Sequence, residues 1–227
     1  MRKLWKLTAM AAACMAVVAC MTSCFNDDDD NNNTTSTREL TKAEQEAVME
    51  CIEGSHQAYL YFRNTETQKT DSAVINITAT ASDSVFTVSD FPVEILANYI
   101  SNENAVAQLK QFGRQPISFT YATPYAVDEQ EYLKGYYNYY LLVDKAHTVS
   151  TEITGEDGEK STIEATLQFK NYVLSTDYYG RTIAYYQMCQ LYRPARTLTG
   201  GLILTTAEVN GVNYNISSIF TLAPVKN

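Results

Sequence analysis

From Ser55 onward the chain alternates apolar and polar residues at a period of two, and this pattern restricts what it can fold into. Ala73, Ile75, Ile77, Ala79 and Ala81 alternate with Ser72, Val74, Asn76, Thr78 and Thr80. Ile117, Phe119 and Tyr121 repeat the spacing. Ile163, Ala165, Leu167, Phe169 and Val173 face one way, and Thr162, Glu164, Thr166, Gln168 and Lys170 the other. Ile183, Tyr185, Cys189 and Leu191 share a face in a further run. Side chains that repeat every second residue belong to half-buried strands. The connections are short: Ser82-Asp83-Ser84 leads into 85–91, and Asp157-Gly158 separates 148–154 from 161–172. Asn210-Gly211 joins 202–209 to 212–222 and favours a type I′ hairpin turn. Parallel neighbours need longer crossovers, so these strands pair antiparallel. The fold class expected is mainly β, an antiparallel barrel or sandwich of about eight to ten strands.

Two helical stretches interrupt the pattern. Thr41 and Glu44 form a capping box, each side chain answering the other's backbone N–H. Leu40, Ala43, Ala47, Val48, Cys51 and Ile52 then fall on one helical stripe, which predicts an N-terminal amphipathic helix over 41–53, stopped by Gly54. After Pro92, Val93, Leu96 and Ile100, then Val106, Leu109 and Phe112, predict a short helical insert over about 93–112, ended by Gly113. With no repeat and no second linker, residues 38–227 read as a single domain; a boundary near residue 114 is the alternative division.

The first residues have a different logic. Arg2, Lys3 and Lys6 precede an uncharged stretch from Leu7 to Met21, the n-region and h-region of a secretory signal over residues 1–23. That stretch falls short of the roughly 20 residues needed to span a bilayer core. Small residues followed by cysteine resemble the bacterial lipobox, in which the cysteine is acylated and becomes the mature N-terminus. Val17-Val18-Ala19-Cys20 and Met21-Thr22-Ser23-Cys24 both fit. Asp27, Asp28, Asp29 and Asp30 follow Cys24 and resemble the acidic export signal that sends Bacteroidetes lipoproteins to the outer face of the outer membrane. Its spacing favours Cys24 over Cys20. Residues 24–37 are otherwise a polar linker, since like charges repel and nothing there can be buried. The expectation is a lipid anchor in the outer membrane, exposed at the cell surface.

Charge narrows the partners. The formal charge is −9, and removing the leader takes away three positive charges and no negative ones. A surface this acidic repels nucleic acid, so no nucleic-acid partner is expected.

Residues 41–92 resemble a family of Bacteroides lipoproteins built on a domain of unknown function. The resemblance rests on the capped helix, then Gly54-Ser55-His56-Gln57-Ala58-Tyr59-Leu60-Tyr61-Phe62, Lys69-Thr70-Asp71-Ser72, Ser82-Asp83-Ser84-Val85-Phe86 and Asp90-Phe91-Pro92-Val93. The same opening is similar to calycin-like β-barrel lipoproteins of that phylum. Neither resemblance implies a known activity or a catalytic residue.

Chemistry-bearing motifs are sparse. There is no zinc-protease helix, Cys-x-x-Cys pair, phosphate loop or nucleophile elbow, so no catalytic residue, metal or cofactor is assigned. The two histidines, His56 and His147, read as surface or half-buried residues. Cys51 and Cys189 lie on apolar faces as two buried thiols or, in an exported protein, a disulfide. Two acids could form a glycosidase pair, but nothing selects them. Asp71-Ser72-Ala73 and Asp83-Ser84-Val85 resemble the Bacteroidetes O-glycosylation site at Ser72 and Ser84, and also read as turns.

The compositional oddity is tyrosine, 17 residues against 8 Phe and 1 Trp. Tyr136, Tyr137, Tyr139 and Tyr140, with Tyr178 and Tyr179, form pairs of consecutive rings. In a strand each pair sends one ring inward and one outward. Outward rings could hold a glycan or an envelope protein; the plainer reading is cross-strand aromatic pairing. The function expected is a surface-exposed lipoprotein with a non-catalytic binding domain. The alternatives are a structural accessory lipoprotein without a ligand pocket and a carboxylate-dependent hydrolase.

Overall fold

The computed structural model describes residues 36–65, 67–154, 158–176 and 180–225. Fourteen strands and three α-helices follow one another along these residues. In chain order they are β1 (Thr37–Glu39), α1 (Lys42–Cys51), β2 (Gly54–Asn64), β3 (Lys69–Thr80) and β4 (Val85–Pro92). A 3₁₀ segment (Val93–Tyr99) and α2 (Glu103–Phe112) lead to β5 (Arg114–Ala122), β6 (Ala126–Asp128), α3 (Glu129–Lys134) and β7 (Tyr136–Leu142). The chain continues through β8 (His147–Thr154), β9 (Lys160–Phe169), β10 (Tyr172–Thr176), β11 (Thr182–Tyr186), β12 (Met188–Tyr192), β13 (Thr197–Val209) and β14 (Val212–Pro224).

Eight of these strands close an antiparallel barrel. Around the ring the order is β12, β7, β5, β4, β3, β2, β14, β13, and β13 returns to β12 through the pairs Met188–Gly201 to Tyr192–Thr197. The fold is therefore the barrel of the two architectures that the alternation allows. Inward residues fill it: Leu60, Ile75, Ile77, Phe86, Phe119, Tyr139, Leu191, Leu202, Phe220 and Leu222 are all buried. Rings supply much of this core. Phe91 meets Phe169 and Phe220 edge-on at 6.3 and 5.9 Å, the geometry favoured by the aromatic quadrupole.

Helices close both ends. α1 starts at Thr41 with the complete capping box and buries Val48. It ends at Cys51 with Ile52 as its cap, earlier than the 41–53 expected. Gly54, with φ +113°, opens β2 and does not stop the helix. The C-terminal carbonyls of a helix lack partners within it. Here Tyr139 Oη donates to Val48 O at 2.7 Å and Tyr121 Oη to Met49 O at 3.2 Å. His56 Nε2 lies 2.7 Å from Ile52 O and must carry the proton, because a carbonyl only accepts. His56 is thus buried, deeper than its surface or half-buried reading. At the other end the insert buries Val93, Leu96, Leu109 and Phe112, and Tyr99 packs edge-on to Phe220.

The barrel wall is branched. The first half of β13 pairs with β12 and its second half with β9, which carries β8 outside the ring. The sequence read 161–172, with Val173 continuing its face, and the run from Ile183 to Leu191 as continuous strands, and the structure corrects both. β9 stops at Phe169, the run from 183 breaks at Gln187, and Val173, Ile183 and Tyr185 lie in a separate two-stranded ribbon of β10 and β11. Gln187 is buried at the branch, its Nε2 donating to Leu141 O and its Oε1 accepting from Ile203 N.

β8 meets β5 at a seam with no ladder between them among the described strands. His147, at the start of β8, sits edge-on to Phe119 at 5.0 Å and Phe169 at 5.5 Å. Burial among these rings holds its pKa below 6.5, with Asp144 opposing and Lys145 assisting. A depressed histidine pKa means that the unfolded chain takes the proton first. We predict that stability falls as pH drops below about 6.5, and that the loss is complete once pH is below the folded-state pKa. His147→Phe should flatten that acid limb in urea melts recorded from neutral pH to about pH 5. An unchanged limb would refute the assignment.

Candidate functional site

Only some of the candidate residues read from the sequence fall among the described residues. Cys20, Cys24 and Asp27 to Asp30 lie outside them, as do Tyr178 and Tyr179. Within them, β7 separates the tyrosine pairs by parity. Tyr137 and Tyr139 point into the barrel and are buried, while Tyr136 and Tyr140 are half-buried on the outer wall. The inward rings are structural: desolvation pushes the Tyr139 phenol well above its ordinary range and the Tyr121 phenol to about 12.

The outward rings belong to a row. β12 pairs antiparallel with β7, so Tyr192 lies beside Tyr136, Gln190 beside Asn138 and Met188 beside Tyr140. Tyr136 and Tyr192 stack with centroids 4.6 Å apart and planes at 23°. One step along, Gln190 Nε2 donates to Asn138 Oδ1 at 3.0 Å. Beyond that, Tyr140 meets Tyr186 at 5.9 Å, and Tyr186 meets Tyr172 at 5.9 Å on the ribbon. Tyr172, Tyr186 and Leu174 are exposed by 52%, 42% and 63%, so the ribbon extends the apolar surface into solvent. Elsewhere on the outside of the barrel, on β2, three strands round the ring from β12, Tyr59 and Tyr61 lie 6.0 Å apart.

Tyr192, Tyr186 and Tyr172 of this row are not among the candidate binding residues read from the sequence. The available signal was the alternation in β12: with Cys189 and Leu191 inward, Tyr192 must face out. Which ring it would stack on depended on a strand pairing across some fifty residues.

The other candidates fall apart from this wall. Cys51 is half-buried and Cys189 buried, and both are free thiols; burial raises the Cys189 pKa. Ser72 is exposed within β3 opposite Tyr61 and so is not a turn residue. Ser84 occupies a turn at φ +53°, and its carbonyl accepts from Tyr121 N. A polar hollow of about 310 Å³ lies on the outside of β9 and β13, lined by Thr162, Glu164, Thr166, Glu208, Asn210 and Gly211. Among the described residues no three His, Cys, Asp or Glu side chains gather as a metal site requires.

The N-terminal approach to the barrel is strapped down. β1 pairs with β6 over Thr37–Asp128 to Glu39–Ala126. Arg38 forms an ion pair with Glu44 at 2.8 Å, which holds the Glu44 carboxyl down at about 2, and its guanidinium lies 4.7 Å from the Tyr132 ring centroid. Tyr125 Oη donates to Glu39. Tyr132 in turn packs on Tyr137, which joins the strap to the start of β7.

No curated protein and no solved structure matches the chain. A family model does, over residues 51–189, from the end of α1 to the second residue of β12. It takes in β7 and the ribbon and leaves out β13 and β14. The chain belongs to the family defined by DUF4840, a domain of unknown function.

Proposed function

We propose that this chain is a lipid-anchored, non-catalytic binding module of the outer membrane, displayed at the cell surface, that holds a glycan or an envelope protein on the outer wall of its barrel. The observation that carries this reading is the row of outward tyrosines on β7 and β12. Recognition falls to the wall because the lumen is filled by side chains and both ends are covered by helices. Apolar residues face in and polar residues face out, the reverse of a barrel that spans a membrane, whose lumen is polar. That polarity supports the reading of an anchor in the leader, and the β1–β6 strap lies directly after the linker.

A second reading, a structural accessory lipoprotein with no ligand, is favoured by the same filled lumen. Paired substitution of Tyr136 and Tyr192 by alanine separates the two. A binding module loses capture of its ligand from a glycan array or from purified envelope proteins, whereas an accessory subunit shows no capture to lose.

The anchor has its own test. Cys24→Ser should abolish metabolic labelling with a fatty acid, and Cys20→Ser should leave it intact; the reverse result would move the mature start. Replacing Asp27 to Asp30 by alanine should keep the protein lipidated but hide it from protease added outside the cell. Continued cleavage would make those aspartates a linker only.

A further inference from the structure

We infer that the ligand of the tyrosine wall is a neutral glycan, an inference that rests on the reading of that wall as the binding face. Charge is the first argument. The chain has a formal charge of −9, yet the outward positions of β7 and β12, from Tyr136 to Leu142 and from Tyr192 to Met188, hold no Asp, Glu, Lys or Arg. The absence continues along Thr197 and Thr199 of β13 and Thr221 of β14 to Tyr59 and Tyr61 of β2. Three acids sit together away from the row: Glu152 lies on β8, and Glu164 and Glu208 line the polar hollow outside β9 and distal β13. A wall without charge neither steers nor neutralises a charged ligand.

The second argument is the kind of group on offer. A sugar ring presents an apolar C–H face and an edge of hydroxyls that both donate and accept. The tyrosine rings match the first and the amides of Asn138 and Gln190, each with donor and acceptor, match the second. The row runs from an aromatic pair to an amide pair on β7 and β12, and then to Tyr140 of β7 against Tyr186 of the ribbon. Stacking of Tyr136 on Tyr192 and the 3.0 Å bond between the amides set these groups in place before a ligand arrives, which lowers the entropy lost on binding.

The experiment uses the full lipoprotein in detergent, titrated calorimetrically with two panels: neutral oligosaccharides of glucose, galactose, mannose and xylose, and oligosaccharides bearing uronate or sulfate. The expected result is binding from the neutral panel that is insensitive to salt. Tyr136→Ala and Tyr192→Ala should each weaken it about three- to tenfold, roughly the worth of one lost ring contact. Glu164→Ala should leave it unchanged. Thermal melts check each variant, and Asn138→Ala, which keeps both rings, replaces any ring variant that fails to fold, with a loss of several-fold expected. Binding confined to the charged panel, no binding from the neutral panel, or neutral binding indifferent to the tyrosines and to Asn138 would overturn the inference. Tyrosine-dependent capture of a purified envelope protein without any glycan would overturn it too, yet leave the wall as the binding face. Indifference of every ligand to the wall variants removes both readings.

Discussion

Gly200→Ala should break the closure of the barrel. Gly200 pairs with Cys189 where β13 meets β12, and a Cβ there would stand 2.2 Å from Met188 O and 2.7 Å from Cys189 Cα. Both contacts are with backbone, so no side chain can rotate away. Relief requires β12 to move off β13, and β12 is also the strand that carries Gln190 and Tyr192 against β7. Overpacking that forces backbone to shift costs about 3 kcal/mol or more. For a domain of this size that lowers Tm by roughly 10 °C. The neighbouring glycine supplies the control. A Cβ on Gly201 meets the Ile219 Cγ2 methyl at 3.4 Å and Phe220 O at 3.7 Å, both ordinary contact distances or close to them, and Gly201→Ala should cost under about 1 kcal/mol. Comparable melting temperatures for the two variants would mean that β12 does not close the ring as tightly as the 2.2 Å approach requires. Loss of tyrosine-wall binding in Gly200→Ala but not in Gly201→Ala would tie closure to the site.

Much of the barrel was legible because alternation reports which face is buried whatever the strand pairs with. Ile75, Ile77 and Ala79 point inward as their spacing requires. Asn210 and Gly211 take the two positive φ values, +49° and +79°, that their dipeptide favours. The quoted motifs acquire physical reasons. Asp90 accepts from Asn76 N and Nδ2 where the β3–β4 ladder has ended, and Phe91 stands at the centre of the aromatic core. The ribbon was not legible for the opposite reason. Ile183, Tyr185, Cys189 and Leu191 keep one parity throughout, so alternation runs unbroken across Gln187 although the chain leaves the ribbon there and enters the barrel wall. β1, β6 and α3 are too short for any period to register. The site divided in the same way. That each of the pairs Tyr136–Tyr137 and Tyr139–Tyr140 divides between inside and outside followed from parity, whereas which ring faces out, and the stacking of Tyr192 on Tyr136, follow from ring closure, a non-local event.

Gln187 is where the branched wall is most vulnerable, and Gln187→Leu should expose that. At this residue β13 has left β12 and begins to pair with β9, so three strands diverge around one point that backbone ladders alone cannot satisfy. The Gln187 backbone joins two neighbours, its N–H donating to Asn171 O at 2.7 Å and its carbonyl accepting from Leu141 N at 2.9 Å. Its side chain makes the two bonds that span the branch, to Leu141 O at 3.2 Å and from Ile203 N at 3.0 Å. Leucine fits the volume and leaves that carbonyl and that N–H buried without those partners. An unsatisfied buried group costs about 1–3 kcal/mol, so the pair should cost roughly 2–6 kcal/mol. Global unfolding in urea measures the loss, and hydrogen exchange locates it. Ile203 N–H should lose protection first, followed by the ribbon, because two isolated strands are marginal without the wall to hold their base. Gln190→Leu, a half-exposed glutamine three residues on, should cost under about 1 kcal/mol and leave Ile203 protected. If Gln187→Leu melts like the wild type with Ile203 still protected, the branch is held by packing, and the amide is a passenger there.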